Sequence, residues 1–293
     1  MRIRLEISFD KTLIMERILL AVDATNLDMP ALDFACYLGK LTHSKVTGIF
    51  FENLVPLQKL VVKSAEEGQY AEWELDENSA EYQTKKKLIE KNIALFKDAC
   101  ANRSVTCRVE RYTGSPGGEI ITESRFADLL IIDASASFNK RYEGAPTNFV
   151  KETLRNAECP VIIAPESFEG IDEIIFTYNE TPQSVFAIKQ FTNLLPQLKN
   201  TKVTIVQVNE EGEWRDEETG KFKEWLQDHY SSIHFEALKG DADSELLGFL
   251  LRRKNVFIVM GAYGRTSVSQ FFKHSRADIL IKTISQPIFI SHY

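Results

Sequence analysis

Four apolar segments recur in the same order along the chain, and this duplication constrains its fold more tightly than any other feature. Arg17-Ile18-Leu19-Leu20-Ala21-Val22-Asp23 returns in character as Glu173-Ile174-Ile175-Phe176-Thr177-Tyr178-Asn179, and Lys45-Val46-Thr47 returns as Lys202-Val203-Thr204. The segment from Asp128 to Asp133 matches that from Asn255 to Gly261, and Cys159-Pro160-Val161-Ile162-Ile163 matches Gln286-Pro287-Ile288-Phe289-Ile290. The offset is about 156 residues at the first two landmarks and about 128 at the last two, so the first copy holds roughly 28 extra residues, which fall within 54–100. Each landmark is short and apolar, the pattern of a strand buried on both faces.

Between the landmarks the periodicity becomes helical. Asp28 is placed to cap a helix running to about Thr42, with Pro30 in the first turn and Leu32, Ala35, Cys36 and Gly39 on one face. Thr181 and Pro182 do the same in the second copy, ahead of a stripe of Val185, Ile188, Phe191, Leu194 and Leu195. Residues 77–102 read as a long charged helix with Leu88, Ile89, Ile93, Leu95 and Phe96 facing inward, and Glu213 to Tyr230 as its shorter partner. Each copy then supplies a strand (105–112 or 232–238), a helix (117–126 or 242–253), the third landmark strand, another helix and a last strand. This alternation predicts an α/β fold of two tandem, doubly wound, mainly parallel-sheet domains over 1–165 and 171–293, joined at the polar junction from Pro165 to Ile171. Right-handed crossovers gather the loops at the strand C-terminal ends, where a ligand site is expected. The acidic runs Glu66-Glu67, Glu72 to Glu77 and Glu210 to Glu218 read as solvated loops or helix faces.

A 44% share of hydrophobic residues suffices to bury two cores, and a formal net charge of -7 argues against nucleic-acid or anionic-membrane partners. The longest apolar runs, such as Leu129 to Ile132, fall far short of the roughly 18 residues that cross a bilayer. Arg2 and Arg4 are followed by Glu6 and Asp10 rather than by an apolar stretch, so the first fourteen residues do not read as a signal peptide. Cys36, Cys100, Cys107 and Cys159 are too sparse for a disulfide scaffold and fit a reducing cytoplasm. Cys100 belongs to a helix stripe and Cys107 to a strand, so packing is preferred to a redox pair. His43, His229, His234, His274 and His292 lack ligand spacing, so no metal is expected.

Chemistry concentrates after the third landmark of the second copy, in Gly261-Ala262-Tyr263-Gly264-Arg265-Thr266 and in Lys273-His274-Ser275-Arg276. A strand that enters a glycine turn and then a helix N-terminus exposes backbone N–H groups to phosphate, although any tight turn also calls for such glycines. Arg265, Lys273, His274 and Arg276 either attract phosphate or form a solvated basic face. No Gly-x-Ser-x-Gly or Gly-x4-Gly-Lys-Ser/Thr motif occurs, and no nucleophile is nominated.

The duplicated unit resembles the universal stress protein family, and residues 16–293 resemble its tandem two-domain members, with their adenine nucleotide α-hydrolase-like fold. Nucleotide-binding members carry Gly-x2-Gly-x9-Gly-Ser/Thr after the fourth strand; here the pattern reads Gly261, Gly264, His274 in place of the third glycine, and Ser275. The resemblance implies that Asn179 takes the base-reading position beside Val208 and Met260. It also implies that Gly261, Gly264, Arg265, His274, Ser275 and Arg276 surround the phosphates of ATP or another adenine nucleotide. Asn179 both donates and accepts but lacks the charge of a carboxylate, and His274 puts a side chain where backbone should approach phosphate. The first copy keeps Asp23 but reads Asp133-Ala134-Ser135-Ala136-Ser137 where the glycines belong, with Gly144 and Thr147 as remnants. A carboxylate at Asp133 repels phosphate by about 1 kcal/mol or more, so this copy is expected not to bind nucleotide.

Ser115-Pro116-Gly117-Gly118 after the third strand matches a Gly-x-Pro turn common in the family and opens the following helix, and Gly240-Asp241 is its counterpart. The resemblance further implies a cytoplasmic, non-catalytic stress-response module for binding or signalling. Its halves would pair through 161–164 and 288–291 as an internal version of the family dimer, with a homodimer of whole chains also open. The alternatives are a slow ATP hydrolase, and a nucleotide-independent module that contacts an unidentified protein partner through the insertion at 54–100.

Overall fold

The computed structural model describes residues 15–54, 57–65, 68–138, 142–214, 216–261 and 276–291. The first half runs β1 (Arg17–Asp23), α1 (Met29–Thr42), β2 (Lys45–Phe51), β3 (Gln58–Ala65), β4 (Gly68–Leu75), α2 (Ala80–Asn102), β5 (Cys107–Tyr112), α3 (Pro116–Ser124), β6 (Leu129–Ile132), α4 (Asn148–Asn156) and β7 (Val161–Ile163). The second runs β8 (Glu173–Thr177), α5 (Pro182–Leu194), β9 (Lys202–Asn209), α6 (Asp216–Gln227), β10 (Ile233–Lys239), α7 (Ala242–Leu251), β11 (Val256–Gly261), α8 (Arg276–Thr283) and β12 (Ile288–Ser291).

Ten strands form one sheet in the order β10-β9-β8-β11-β12-β7-β6-β1-β2-β5. Each half is a five-stranded parallel sheet in which the first-formed strand is central and the order reverses beside it, the doubly wound pattern that the alternating landmarks predict. The halves join where β12 pairs antiparallel with β7, with Ile288 opposite Ile163, Phe289 opposite Ile162 and Ile290 opposite Val161. This is the pairing expected of segments 161–164 and 288–291. The same ladder covers two edges that would otherwise be exposed and apolar.

Because the strands are apolar on both sides, the core lies in two layers, and each layer continues across the β7–β12 seam. Ile162 and Phe289 belong to the layer under α1, α2 and α5, and Val161, Ile163, Ile288 and Ile290 to the other. Aromatic rings lock the seam further, since Phe34 of α1 meets Phe257 of β11 edge-on at 5.7 Å between centroids. The junction is docked rather than loose: Phe168 packs on Phe34 and Tyr37, and the Glu166 N–H donates to the Ser285 carbonyl.

The helix starts follow the sequence signals. Asp28 accepts from the Ala31 N–H at 2.7 Å with Pro30 in the first turn, and the Thr181 hydroxyl accepts from the Ser184 N–H at 3.3 Å with Pro182 beside it.

The extra residues of the first copy form the antiparallel β3–β4 hairpin, and the rest lengthen α2 to 23 residues against 12 in α6. Sequence reading gave this region no strands, and the acidic residues Glu72 and Glu74 stand on β4 paired with Lys63 rather than in a loop. The opposite face of the hairpin exposes Leu60, Val62 and Trp73. A second correction concerns α2: Leu88 and Leu95, expected inward, are about 40% and 41% exposed, while Ile89, Ile93, Phe96 and Cys100 form the buried stripe. At 100° per residue, Leu88 and Leu95 fall one step off the stripe that starts at Ile89.

At the opposite end of the strands the two copies solve one problem with inverted charges. The first residue of β1 is Arg17, held by Glu123 at 2.6 Å and Glu110 at 3.4 Å. Its counterpart Glu173 is buried among the Thr204 hydroxyl at 2.5 Å, Lys202 at 2.9 Å and Arg253 at 3.4 Å. Burial pushes the Glu173 carboxyl up, but these three partners outweigh it and hold it below the usual range.

Candidate functional site

The point where the strand order reverses lies between β8 and β11 in the second half and between β1 and β6 in the first. Parallel strands on either side send their crossovers to opposite faces there, so the loops part and leave a crevice at the strand C-terminal ends. A cavity opens at each.

The second-half cavity has a volume of about 160 Å³ and is open to solvent at its mouth. Four of the residues nominated from sequence line it together: Asn179 beyond β8, Val208 on β9, and Met260 and Gly261 at the end of β11. Thr177, Val206 and Ser184 complete the strand side and the start of α5, and Ala242 and Leu246 of α7 close another wall. Sequence reasoning did not nominate Ala242 or Leu246. The available signal was Gly240-Asp241, where Gly240 has φ +134° and Asp241 caps α7 by accepting from the Ser244 N–H at 3.1 Å. Gly264, Arg265, His274 and Ser275 lie outside the described residues. Arg276 is described only in its backbone, as the first residue of α8.

Two nominated residues have roles the sequence did not indicate. The Asn179 carbonyl accepts from the Thr181 hydroxyl at 2.6 Å and more weakly from its N–H, so it shapes the turn into α5. Asp23 does the same for Thr25, with 2.7 Å to the hydroxyl and 2.8 Å to the N–H. The shared Asp/Asn-x-Thr sequence is thus first a turn device, and any base recognition by the Asn179 carbonyl competes with Thr181.

Gly261 is required by packing. A Cβ there would stand 2.6 Å from the Gln183 carbonyl carbon and oxygen and 2.7 Å from the Ser184 nitrogen, backbone atoms of the first turn of α5. The strand therefore presses on the helix N-terminus directly at the cavity mouth.

The first-half cavity is smaller, about 70 Å³, and differs in chemistry. Asp23, Asp28 and Asp133 line it with Ala31, Ser135 and Ser137. Asp133, the residue that stands where Gly261 does, accepts from the Ser135 hydroxyl at 2.5 Å and from its N–H at 3.1 Å. Burial raises the Asp28 carboxyl above its ordinary value, the Ala31 N–H opposes this, and the neighbouring Asp133 adds to it. Asp133→Asn is therefore expected to lower the Asp28 pKa, read by NMR titration of the side-chain carboxyls; an unmoved Asp28 would separate the two groups electrostatically. Thr147, read as a motif remnant, is the buried N-cap of α4 and accepts from the Val150 N–H at 3.3 Å.

Among the described residues, no group of three or more His, Cys, Asp or Glu side chains is placed to hold a metal ion, and no helix is long and apolar enough to cross a membrane.

No family model matches the sequence, and no curated protein matches it. Solved structures do match its shape. A universal stress protein from Archaeoglobus fulgidus superposes with a TM-score of 0.68 at 16% identity, covering 94% of this chain and 96% of that one. A functionally unknown protein from Pseudomonas aeruginosa gives 0.53 at 12% identity, covering 95% and 92%. Identities this low speak to architecture alone, and in architecture the chain has the universal stress protein fold, built twice and closed upon itself through one continuous sheet.

Proposed function

We propose that the second half binds an adenine nucleotide in the β8–β11 crevice, and that the protein works as a non-catalytic binding or signalling module in the response to stress. The observation that carries this reading is the contrast between the two cavities. The second-half cavity offers Val206, Val208, Leu246 and Met260 as apolar walls for a purine, with the N-terminal turns of α5 and α7 beside it. Helix N-termini favour the negative charge of a phosphate chain. The first-half cavity presents three carboxylates instead, which repel the same ligand. The lining of the second cavity supplies amide, hydroxyl and apolar groups, suited to holding a nucleotide in place rather than to moving protons.

Calorimetric titration with ATP, and mass spectrometry of small molecules released from the purified chain, test this reading. One site per chain is expected. Val208→Trp, which fills the cavity from a partly exposed strand position, should weaken binding at least about tenfold with an unchanged melting temperature. Absence of binding, or binding indifferent to Val208→Trp, would remove the nucleotide from this crevice. Gly261 is unsuited to the test, because any side chain there disturbs α5 whether or not a ligand binds.

A further inference from the structure

The first half contains a row of three thiols that the nucleotide reading does not use. Cys36 on α1 and Cys100 on α2, 64 residues apart in sequence, lie with their sulfurs 3.7 Å from each other, and neither has any exposed surface. Cys107 on β5 is half-buried, interacts with Cys100 and belongs to the outermost strand of the sheet at this end. The row thus leads from the sheet edge into the core.

We propose that Cys36 and Cys100 form a disulfide when the protein meets hydrogen peroxide, with Cys107 as the thiol through which oxidation enters. The Cys107 thiolate attacks the peroxide and becomes a sulfenic acid, with hydroxide as leaving group. The Cys100 thiol displaces the sulfenic oxygen as water, which joins Cys100 to Cys107. The Cys36 thiolate then attacks the Cys100 sulfur and releases Cys107 as a thiolate that regains a proton. Two thiols are oxidised by two electrons, one peroxide is reduced to two waters, and Cys107 is restored.

The surroundings favour the last exchange. The contact with Cys100 holds the Cys36 thiol below its ordinary value; burial opposes that, the Arg103 guanidinium supports the thiolate, and the Asp33 carboxylate works against it. Arg103 is itself anchored to Asp33 of α1 and to the Ala99 carbonyl, so it ties together the two helices that the disulfide would join. The sulfurs stand 3.7 Å apart across an existing helix contact, about 1.7 Å more than the bonded distance of about 2.05 Å. The bond would enclose the whole β3–β4 hairpin in a covalent loop. It would also fix α1, whose first turn carries Asp28 and Ala31 of the acidic cavity.

The test treats the full native chain with graded hydrogen peroxide, blocks remaining thiols under denaturing conditions, and maps disulfides by mass spectrometry without reduction. The expected product links Cys36 to Cys100, leaves Cys107 blocked as a free thiol, and melts on the order of 5–10 °C higher, an increase that a reductant reverses. Cys107→Ser should slow formation of that bond at least about tenfold, and Cys36→Ala should trap a Cys100–Cys107 link. Cys159, whose thiol burial pushes up to about 12, is the internal control and should stay reduced. The proposal is overturned if Cys36 and Cys100 remain free while Cys107 is oxidised to sulfinic acid. A stable Cys100–Cys107 link in the unaltered protein, or a Cys107→Ser variant that oxidises as fast, overturns it equally.

Discussion

Phe191→Ala is expected to destabilise the chain by about 3–5 kcal/mol and to lower its melting temperature by on the order of 10 °C. Phe191 is fully buried on α5, with its ring edge-on to Phe257 at 4.9 Å, Phe289 at 5.3 Å and Phe176 at 5.8 Å. Alanine would remove the ring from all three and leave a cavity that rigid strands cannot close. Phe289 belongs to the seam strand β12, and Phe257 is the ring that Phe34 of the first half touches, so the damage reaches both halves. A single calorimetric transition should persist at the lower temperature. Two separated transitions in the variant would mean that the seam is a weak joint, and an unchanged melting temperature would contradict the packing. Leu88→Ala, on the exposed side of α2, is the matched control and should cost well under 1 kcal/mol.

The second large effect lies at the other end of the strands. Glu173→Ala removes the carboxylate that Lys202 and Arg253 share, leaving Arg253 paired with Glu236 at 3.4 Å, and strips the Thr204 hydroxyl of its acceptor. Breaking a buried pair costs about 3–5 kcal/mol, but Lys202 and Arg253 reach solvent, so about 2 kcal/mol is expected by denaturant unfolding at neutral pH. The pH dependence has a fixed sign. Glu173 titrates below its unfolded value, so its stabilisation is complete above that value of about 4.3 and is lost as pH falls through the lower folded pKa. The gap between wild type and variant should therefore narrow as pH falls from 7 towards 3. A gap that widens on acidification would reverse the assignment of Glu173 as a stabilising anion.

The central sheet was legible because its inner strands are nearly continuous apolar runs ended by polar, glycine or proline residues, and because the same run order appears twice. The β7–β12 seam was expected from the family resemblance, whereas the order of strands within each half was not read from the sequence. The hairpin escaped because its alternation is diluted by charge: Lys59, Lys63, Glu72 and Glu74 share one face, and only Leu60, Val62 and Trp73 mark the other. The glycine at 68, where β4 begins between two β-prone runs, was the missed signal. For the candidate site, a motif pointed to the strand ends of the second half, where Asn179, Val208, Met260 and Gly261 line one cavity. What each does locally was not legible, since the Thr181 bond to Asn179 and the press of Gly261 on α5 depend on distances that no spacing encodes. The Cys36–Cys100 contact is of the same kind, because nothing local connects residues 64 positions apart.

The one antiparallel step in the ten-stranded sheet decides how the molecule addresses its surroundings. Strands of the first half point one way and those of the second half the other, so the acidic cavity and the apolar cavity open on opposite rims. The rims stand apart by the length of a strand, about 23 Å for the seven residues of β1. A body that approaches one rim therefore meets one chemistry and never both. The chain is a two-headed block with unlike heads set back to back, able to connect two visitors on opposite sides but not to grip one visitor with both.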